Sequence, residues 1–310
     1  MEDLTNCHNL SLQDTGRARS ILVLGEVLWD RFEHSTVLGG APLNFAAHAK
    51  RLGYIPLLIS AVGADCLGKA ALQEIAGLGL DTSFLQTSRQ YPTGTARVAL
   101  GPGDRTGFVI ERPAAYDALR LREDQIALIS DRNPEFFYYG TLFASMPQGR
   151  AVLDRLLDAL PSATRFYDLN LRPGNYSAQL VVEMLEVGDV VKLNEEELGT
   201  VRKFTRMPAE IEAFCREGSK RFGWKAVCVT LGGRGCAMLH GEEYIEAGGH
   251  AISVADPVGA GDAFAAAFLH GLIANWPVAK IAAFANRIGA LVASRHGAIP
   301  DWTVKEAVEL

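Results

Sequence analysis

The segment Asp256–Phe264 (DPVGAGDAF) contains the residues of this chain that are best suited to chemistry. At positions 259–261 two glycines flank an alanine, and such a small turn lets the backbone approach a ligand closely. The N–H groups at the start of the following helix, which we predict over Ala263–Ile273, would then point at an anion. The turn therefore suits a phosphate group.

Asp262 ends this turn, where its negative charge would repel a phosphate. Its presence is explained if it is a general base that takes a proton from a hydroxyl group attacking phosphorus. A carboxyl group with the ordinary pKa of about 4 is ionised at neutral pH, so we expect Asp262 to need no special tuning. The alternative is that Asp262 only caps the helix.

A second candidate segment is Gly39–Asn44 (GGAPLN). Adjacent glycines before an asparagine at the start of a helix can expose the Asn44 amide to a polyhydroxylated ligand, with the glycine backbone close by. The alternative is a turn followed by an asparagine that caps the helix.

Strand-like and helix-like patterns alternate along the chain, and these elements must position both segments. Short apolar runs typical of buried strands occupy residues 21–25, 56–62, 136–139, 164–167, 187–193, 226–230 and 235–239. Helical patterns occupy residues 43–52, 69–76, 149–160, 177–185 and 209–222. The alternation predicts an α/β fold in which a parallel sheet is covered by helices on both faces.

One region departs from this alternation. Thr93–Leu100 and Thr106–Arg112 have the pattern of two strands, and the turn-rich Gly101–Asp104 joins them. This arrangement predicts a hairpin. With an early segment near Arg31–Leu38 to pair with, the hairpin would form a small lid beside the main sheet, and lids exclude water from reactive sites.

Found in this order, the two candidate segments resemble the signatures of the ribokinase-like carbohydrate kinases. Gly39–Gly63 resembles the N-terminal signature, with Asn44 and Gly53 at matching positions. Asp256–Phe268 resembles the C-terminal signature. The likeness extends over nearly the whole chain from about Ser20 onwards.

The resemblance implies a three-layer α/β/α ribokinase-like fold over residues 20–310, with a central, mostly parallel sheet and a small β-strand lid. The lid strands would come from about residues 31–38 and 91–113. We interpret the polar residues 1–19 as a flexible N-terminal tail.

The activity implied is in-line transfer of the γ-phosphoryl group of ATP to a primary hydroxyl of a monosaccharide, with Mg²⁺ bridging the phosphates. Asp262 would accept the hydroxyl proton. The N–H groups of Gly259, Ala260 and Gly261 would stabilise charge on the phosphoryl oxygens.

The resemblance also implies binding residues. The sugar would be bound by Asp30, Gly39, Gly40 and Asn44. The nucleotide would be bound by Asn194, Thr230, Gly232, Gly235 and Asn286. Mg²⁺ would be held, partly through water, by Asn194 and Glu197. K⁺, as an activator, would be held near Asp256, Val258, Arg295 and Gly297.

The residues themselves leave alternatives open for several of these positions. Glu195–Glu197 could be an acidic first helical turn that complements the helix dipole. The glycines at 232–235 could form a simple hairpin turn, Asn286 could be a helix cap or a satisfied polar contact, and Asp30 could be a solvated loop residue.

The acceptor is suggested by two further stretches. The lid pattern and the D-x-N-x-R element Asp168-Leu169-Asn170-Leu171-Arg172 look most like the fructokinase branch of the family, which implies fructose. The same features occur in 2-keto-3-deoxygluconate kinases, and a ribose or nucleoside kinase is left open. A non-catalytic sugar or nucleotide sensor with this fold is the alternative from another functional class.

Three arginines bear on this choice: Arg97, Arg112 and Arg172. Each could bind a carboxylate or a phosphate on the substrate, because the guanidinium group pairs with both in a bidentate way. Each could equally be an ordinary salt-bridge partner.

The composition argues against other classes of protein. The formal net charge is -6 and no long run of Lys and Arg occurs, which argues against a nucleic-acid partner. No stretch approaches the ~20 apolar residues that span a bilayer, and the start of the chain lacks the apolar core of a signal peptide. We therefore expect a cytoplasmic protein with no nucleic-acid or membrane partner. The resemblance implies a sugar and ATP as its partners and leaves a homodimer through the lid open.

Overall fold

The structure is a computed structural model that describes residues 19–100 and 106–310. Apart from Arg19, the predicted tail lies outside the described residues, and so does the predicted turn at 101–104. Within these ranges, no helix is long and apolar enough to cross a membrane.

The described strands form a nine-stranded sheet and a four-stranded sheet. In chain order they are β1 (Ser20–Leu24), β2 (Leu28–Arg31), β3 (Thr36–Gly39), β4 (Ile55–Gly63), β5 (Leu85–Ser88), β6 (Gly94–Leu100), β7 (Thr106–Glu111), β8 (Phe136–Gly140), β9 (Thr164–Asp168), β10 (Val190–Asn194), β11 (Ala226–Thr230), β12 (Cys236–His240) and β13 (Glu243–Ala247). The large sheet has the order β13-β12-β11-β10-β9-β8-β1-β4-β5. All its pairings are parallel except those of β12 and β13, which are antiparallel at one edge.

Helices cover both faces of the large sheet. In chain order they are α1 (Ala41–Arg51), α2 (Cys66–Gly77), α3 (Glu123–Asp131), α4 (Thr141–Ala144), α5 (Pro147–Ala159), α6 (Ala178–Val187), α7 (Glu195–Thr205), α8 (Ile211–Phe222), α9 (Ala260–Ile273), α10 (Val278–Ala293) and α11 (Val304–Glu309).

The core consists of two apolar layers, one on each face of the large sheet. Successive side chains of a strand point to opposite faces, and β1 shows the consequence. Its Ile21 and Val23 pack in the layer that contains α1, α9 and α10, whereas Leu22 and Leu24 pack in the layer that contains α5 and α6. A strand buried on both sides is mostly apolar, which explains why these strands form nearly continuous apolar runs in the sequence.

All seven predicted strands and all five helical patterns form, most of them with shifted ends. The strand predicted from residue 187 begins only at Val190, because α6 continues to Val187. The helix predicted from Ala263 begins at Ala260, so Asp262 lies inside its first turn. Sequence patterns did not indicate β5, β13, α3, α10 or α11.

The predicted hairpin is confirmed as β6 and β7, which pair antiparallel within a small sheet of order β3-β2-β6-β7. The early segment differs from the expected residues 31–38. It forms two strands, of which β2 starts at Leu28 and pairs in parallel with β6. Pairing starts earlier because Trp29 is buried and its Nε1 donates a hydrogen bond to the Leu67 carbonyl at 3.1 Å.

The parallel strands of the large sheet end at a common edge, and polar residues follow several of them there. Glu26 follows β1, Asn170 and Arg172 follow β9, and Asn194 ends β10. Ligands of open α/β sheets bind outside the carboxyl ends of the strands. The same edge therefore holds the candidate site.

Candidate active site

A cavity of about 470 Å³ lies at this edge, between the large sheet and the small one. It is lined by Glu26, Leu28, Asp30, Phe32, Gly40, Ala41, Asn44, Ile110, Leu142, Asn170, Arg172, Asn194, Asp256, Pro257, Val258, Gly259, Gly261 and Asp262. The two segments that the sequence singled out therefore meet in one cavity.

Asp262 and Asn44 are in direct contact there. Both side chains are buried, and Asn44 Nδ2 donates a hydrogen bond to Asp262 Oδ2 at 2.8 Å. The alternative that Asn44 caps α1 does not hold, because Gly40 is the N-cap and Asn44 lies within the helix. Asp262 also lines the cavity, so its carboxylate is placed to meet a substrate hydroxyl.

The turn before Asp262 needs its first glycine. Gly259 is the N-cap of α9 and has a φ of 79°, in the left-handed region that glycine tolerates best. A Cβ atom at Gly259 would lie 2.3 Å from the carbonyl oxygen of Ala298. The turn thus packs against a backbone segment from the end of the chain, which holds its N–H groups at the cavity.

The pKa of Asp262 is raised to about 7, chiefly because the side chain is buried. The positive charge of Lys192 opposes the rise, Asp168 adds to it, and the hydrogen bond from Asn44 and the charge of Arg172 oppose it. The expectation of an untuned carboxylate was therefore wrong. The pKa of this group lies near neutral pH, where general bases are most effective.

Asp30 and Gly40 line the cavity, whereas Gly39 packs against Asp30 without lining it. Asp30 is buried in β2, and burial raises its pKa to about 6. A Cβ atom at Gly39 would lie 2.5 Å from Asp30 Oδ2, and one at Gly40 would lie 2.6 Å from the Glu26 carbonyl oxygen. Glycine is required at position 40, where φ is 110° and the obstacle is backbone, whereas a side chain at position 39 would displace the Asp30 carboxylate.

Glu26 is a cavity residue that the sequence reasoning missed. It is buried, and burial raises the pKa of its carboxyl group to about 7 while the charge of Arg172 lowers it. The available signal was its position directly after a buried parallel strand, at the edge where ligands bind.

The three arginines have different surroundings. Arg172 lines the cavity, and its charge lowers the pKa of both Asp30 and Glu26. Arg97 and Arg112 do not line it. Arg97 pairs with Glu111 at 2.6 Å with its side chain 63% exposed, as in the salt-bridge alternative.

Arg112 belongs to a buried network outside the cavity. It forms an ion pair with Asp117 and donates to the Leu142 carbonyl at 3.1 Å and to Ser145 Oγ at 2.5 Å. Its donors are thus used in holding the chain that follows the small sheet, which is a structural reason for an arginine at this position.

Asn194 reaches the cavity, whereas Glu197 does not line it. Glu197 Oε2 accepts from the Asn194 backbone N–H and Oε1 accepts from that of Leu171, both at 2.8 Å, while Asn194 Oδ1 accepts from Glu197 N. The pair forms a capping box at the start of α7. Glu197 therefore takes the acidic first-turn arrangement that the sequence left open.

The donor set near Asn194 fits a Mg²⁺ ion held mainly by phosphate oxygens and water. Within the described ranges, no group of three or more His, Cys, Asp or Glu side chains could hold a metal by itself. Mg²⁺ keeps several waters and needs only one or two protein groups when a nucleotide supplies phosphates. Asn194 Oδ1 has a second lone pair for that purpose.

Three of the residues expected to bind the nucleotide lie at the end of β11 and in the turn after it. Thr230 pairs with Asn194 across the sheet, and Gly232 and Gly235 have φ angles of 60° and 101°. Asn286 donates to the Gly248 carbonyl at 3.2 Å and is buried, so it is a satisfied polar contact of α10. That matches the alternative left open for Asn286.

The loop expected to hold K⁺ is folded around Asp256. Asp256 Oδ1 accepts from Val258 N at 3.0 Å and Oδ2 accepts from Gly297 N at 3.1 Å. A second cavity of about 230 Å³ adjoins these residues and shares Asp256 and Val258 with the first. The Arg295 side chain points elsewhere and pairs with Glu306 at 2.5 Å.

The chain is similar to known proteins over most of its length. The family model described as pfkB family carbohydrate kinase matches residues 17–305. The chain is 26% identical to a fructokinase from Escherichia coli over 308 residues, which is 93% of this chain and 98% of the relative.

Two solved structures share the fold. A fructokinase from Xylella fastidiosa with bound ATP superposes with a TM-score of 0.82 at 24% identity, covering 94% of this chain and 97% of that one. A 2-dehydro-3-deoxygluconokinase from Thermotoga maritima superposes with a TM-score of 0.83 at 20% identity, covering 95% and 98%. The predicted ribokinase-like α/β fold is confirmed.

Proposed function

Because the chain belongs to the pfkB family of carbohydrate kinases, which are phosphotransferases with an alcohol group as acceptor, we propose that it phosphorylates a primary hydroxyl of a neutral monosaccharide, with fructose as the acceptor. The observation that carries this proposal is the placement of Asp262 and Asn44. They lie 2.8 Å apart in a cavity that also contains the Gly259–Gly261 turn.

The proposed reaction begins with a sugar hydroxyl between Asp262 and the phosphate. Asp262 takes the hydroxyl proton, the hydroxyl oxygen bonds to the γ-phosphorus, and the bond from that phosphorus to the β–γ bridging oxygen breaks, so that ADP leaves. The backbone N–H groups of Gly259, Ala260 and Gly261 stabilise the phosphoryl oxygens. Asn44 holds the Asp262 carboxylate in one orientation.

Mg²⁺, when bound with the nucleotide, would neutralise charge on the phosphates, and Asn194 would hold it together with its waters. We assign the nucleotide to the side of the cavity toward β10 and β11, where Asn194, Thr230, Gly232 and Gly235 lie. Glu197 supports this side indirectly, since its carboxylate fixes the Asn194 and Leu171 backbone.

The charge of the cavity favours a neutral acceptor. Its described lining contains four carboxyl groups, those of Glu26, Asp30, Asp256 and Asp262, and one cation, Arg172. An acceptor with its own carboxylate, such as 2-keto-3-deoxygluconate, would add a like charge to this set, which disfavours binding. Carboxylates accept hydrogen bonds from sugar hydroxyls, so the same set favours fructose.

We also propose that K⁺ activates the enzyme through the loop around Asp256. The adjoining small cavity and the Val258 and Gly297 backbone support this assignment. Replacing Na⁺ by K⁺ is expected to raise the rate, and equal rates in the two salts would contradict it.

The direct test is ADP release by the purified protein with Mg·ATP and K⁺ across fructose, ribose, 2-keto-3-deoxygluconate, fructose 1-phosphate and adenosine. We expect turnover on fructose and a fall of roughly 100- to 10,000-fold in kcat for Asp262→Asn, the range that general-base catalysis contributes. Turnover on another acceptor would reassign the substrate. Thermal shifts by sugar and ATP without any turnover would instead favour the sensor.

A further inference from the structure

A buried ion pair lies beneath the turn that carries Asp262. Lys192 Nζ lies 3.0 Å from Asp168 Oδ1 and 3.2 Å from Oδ2, and the two side chains are 6% and 0% exposed. Tyr138 donates its hydroxyl proton to Asp168 Oδ2 at 3.0 Å. The reaction proposed above makes no use of these three residues.

The sheet register places this pair on the face that α9 covers. Lys192 and Asp168 are direct partners across β10 and β9. They share a face with Val190 and Phe166, which pack in the same apolar layer as α9, because residues two apart in a strand point to the same side. A Cβ atom on Gly261 would lie 3.5 Å from Lys192 Nζ, so the ammonium group lies against the first turn of α9.

A buried ion pair of this kind is weak evidence of a stabilising role. Apolar side chains of similar volume often replace such pairs without loss of stability, because removing two charges from water is costly. An ion pair buried beside a reacting group is better explained by the effect of its charges on the ionisation of that group. The reacting group here is Asp262, one residue from the Gly261 contact.

We propose that Lys192 is a positioning residue for phosphoryl transfer, which keeps the Asp262 carboxylate ionised and in place, and that Asp168 limits this effect by sharing the ammonium charge. The proposal rests on the proposed role of Asp262 as general base. In agreement with it, Lys192 lowers the pKa of Asp262 and Asp168 raises it.

Other groups also face Asp262, and they are distributed over the surrounding elements. Asn44 approaches it from α1, Arg172 from the segment after β9, and Glu26 from the segment after β1. Arg172 is only half-buried, so water and salt screen its charge more than that of Lys192. Lys192 is thus the buried cation among these groups.

The test compares two near-isosteric substitutions that act in opposite directions. Lys192→Met leaves Asp168 as an uncompensated anion, so the acidic limb of the pH profile of kcat/KM is expected to move up by about one pH unit or more. Asp168→Asn leaves the lysine without its partner, so the same limb is expected to move down. Lys192→Arg keeps the charge and is expected to stay near the wild-type profile.

A control is the Lys225–Asp189 pair, which has a similar N–O distance of 2.9 Å but a lysine side chain that is 63% exposed. It precedes β10 and β11, at the opposite end of the strands from the cavity. Lys225→Met is expected to leave the pH profile unchanged. Circular dichroism at the assay temperature identifies any variant that is not folded. If only one of Lys192→Met and Asp168→Asn folds, that variant alone still tests the direction in which the pH profile moves.

A purely structural role for the pair would lower stability in both variants without opposite shifts, and that result would overturn the proposal. A direct readout separates this outcome from failure of the proposed function. In protein labelled with ¹³C-aspartate, the Asp262 carboxyl resonance is identified by its loss in Asp262→Asn and titrated in each variant. If the titration midpoint of Asp262 moves in opposite directions in Lys192→Met and Asp168→Asn, the role of Lys192 is supported even if the sugar panel shows no turnover. Midpoints that coincide with that of the wild type refute it.

Discussion

Asp262 is buried, although the role of general base that we propose for it requires a charged carboxylate. Burial raises its pKa to about 7, and Lys192, Asn44 and Arg172 oppose that rise. A base whose pKa lies near the working pH takes a proton more readily than an ordinary carboxylate and is still substantially ionised. The cavity thus makes the group a stronger base than its residue type indicates.

The pH dependence of the reaction follows from this pKa. The base is active when ionised, so kcat/KM is expected to fall about tenfold per pH unit below pH 7 and to level off above it. The measurement is initial rate at low sugar concentration between pH 5 and 9. Asp262→Asn should retain only a slow rate without this limb, and a wild-type plateau that persists to pH 5 would contradict the assignment.

At the scale of elements, α1 and the turn before α9 share one support. His48, one helical turn after Asn44, accepts from Trp302 Nε1 through Nδ1 at 3.0 Å and lies 3.0 Å from the Ala298 carbonyl through Nε2. This pattern gives the ring one proton, on Nε2. Burial lowers the pKa of His48 to about 4, so the ring stays neutral at physiological pH. The same Ala298 backbone packs against Gly259.

Replacing Gly259 by alanine should show what this contact contributes. The new Cβ atom would collide with Ala298, and the left-handed backbone adds strain of roughly 1 kcal/mol. We expect kcat to fall at least about 100-fold, since a displacement of about 1 Å can have that effect. Gly174→Ala is the control, because Gly174 also has a φ of 79° but open space around it. Equal activities for the two variants would refute the argument.

Trp302→Phe tests the link through His48. Loss of the indole N–H leaves His48 Nδ1 without its donor, at an expected cost of about 1–3 kcal/mol in the free energy of unfolding. Trp224→Phe is the control, because Trp224 also donates from a buried position, to the Leu185 carbonyl at 2.9 Å. Urea denaturation should show a loss in both variants. Only Trp302→Phe is expected to lower kcat, by roughly tenfold, and an unchanged kcat would show that the support does not reach the site.

At the scale of the whole molecule, continuous apolar strands and turn residues were sufficient to predict the α/β layers and the hairpin. The residues that meet across large sequence separations were not predictable in this way. The pairing of β2 with β6, the capture of Arg112 by Asp117 and the contact of Lys192 with the α9 turn all depend on the assembled sheets. Spacing in the sequence identifies candidates for a site, and packing decides which of them face the ligand.

Three buried carboxyl groups in the cavity also affect global stability. Glu26, Asp30 and Asp262 have pKa values raised to about 7, 6 and 7, above the values of about 4 in an unfolded chain. At pH values between the unfolded-state and folded-state pKa values, the folded state binds more protons than the unfolded state. These groups therefore contribute stability at acidic pH that is lost as the pH rises through about 4 to 7.

Removing one of these charges should therefore stabilise the protein above neutral pH. Asp262→Asn is expected to raise the free energy of unfolding by about 1–3 kcal/mol at pH 8 and to have a smaller effect near pH 5. Thermal unfolding at the two pH values measures this. Asp158→Asn, a change at an exposed aspartate, should have little effect at either pH. A lower Tm for Asp262→Asn at pH 8 would contradict the sign.

After Gly25 the chain leaves the large sheet, forms β2 and β3, and returns at the start of α1. Gly25 and Pro42, which flank this excursion, are in contact. A Cβ atom at Gly25 would lie 2.3 Å from the Pro42 side chain. Segments whose ends are close can be exchanged with little disturbance to the rest of a fold. Glu26, Asp30 and Gly40 all belong to this excursion, whereas Asp262 and its turn lie near the other end of the chain. Under the roles proposed here, recognition of the acceptor is concentrated in one short stretch of sequence, which can vary separately from the stretch that carries out phosphoryl transfer.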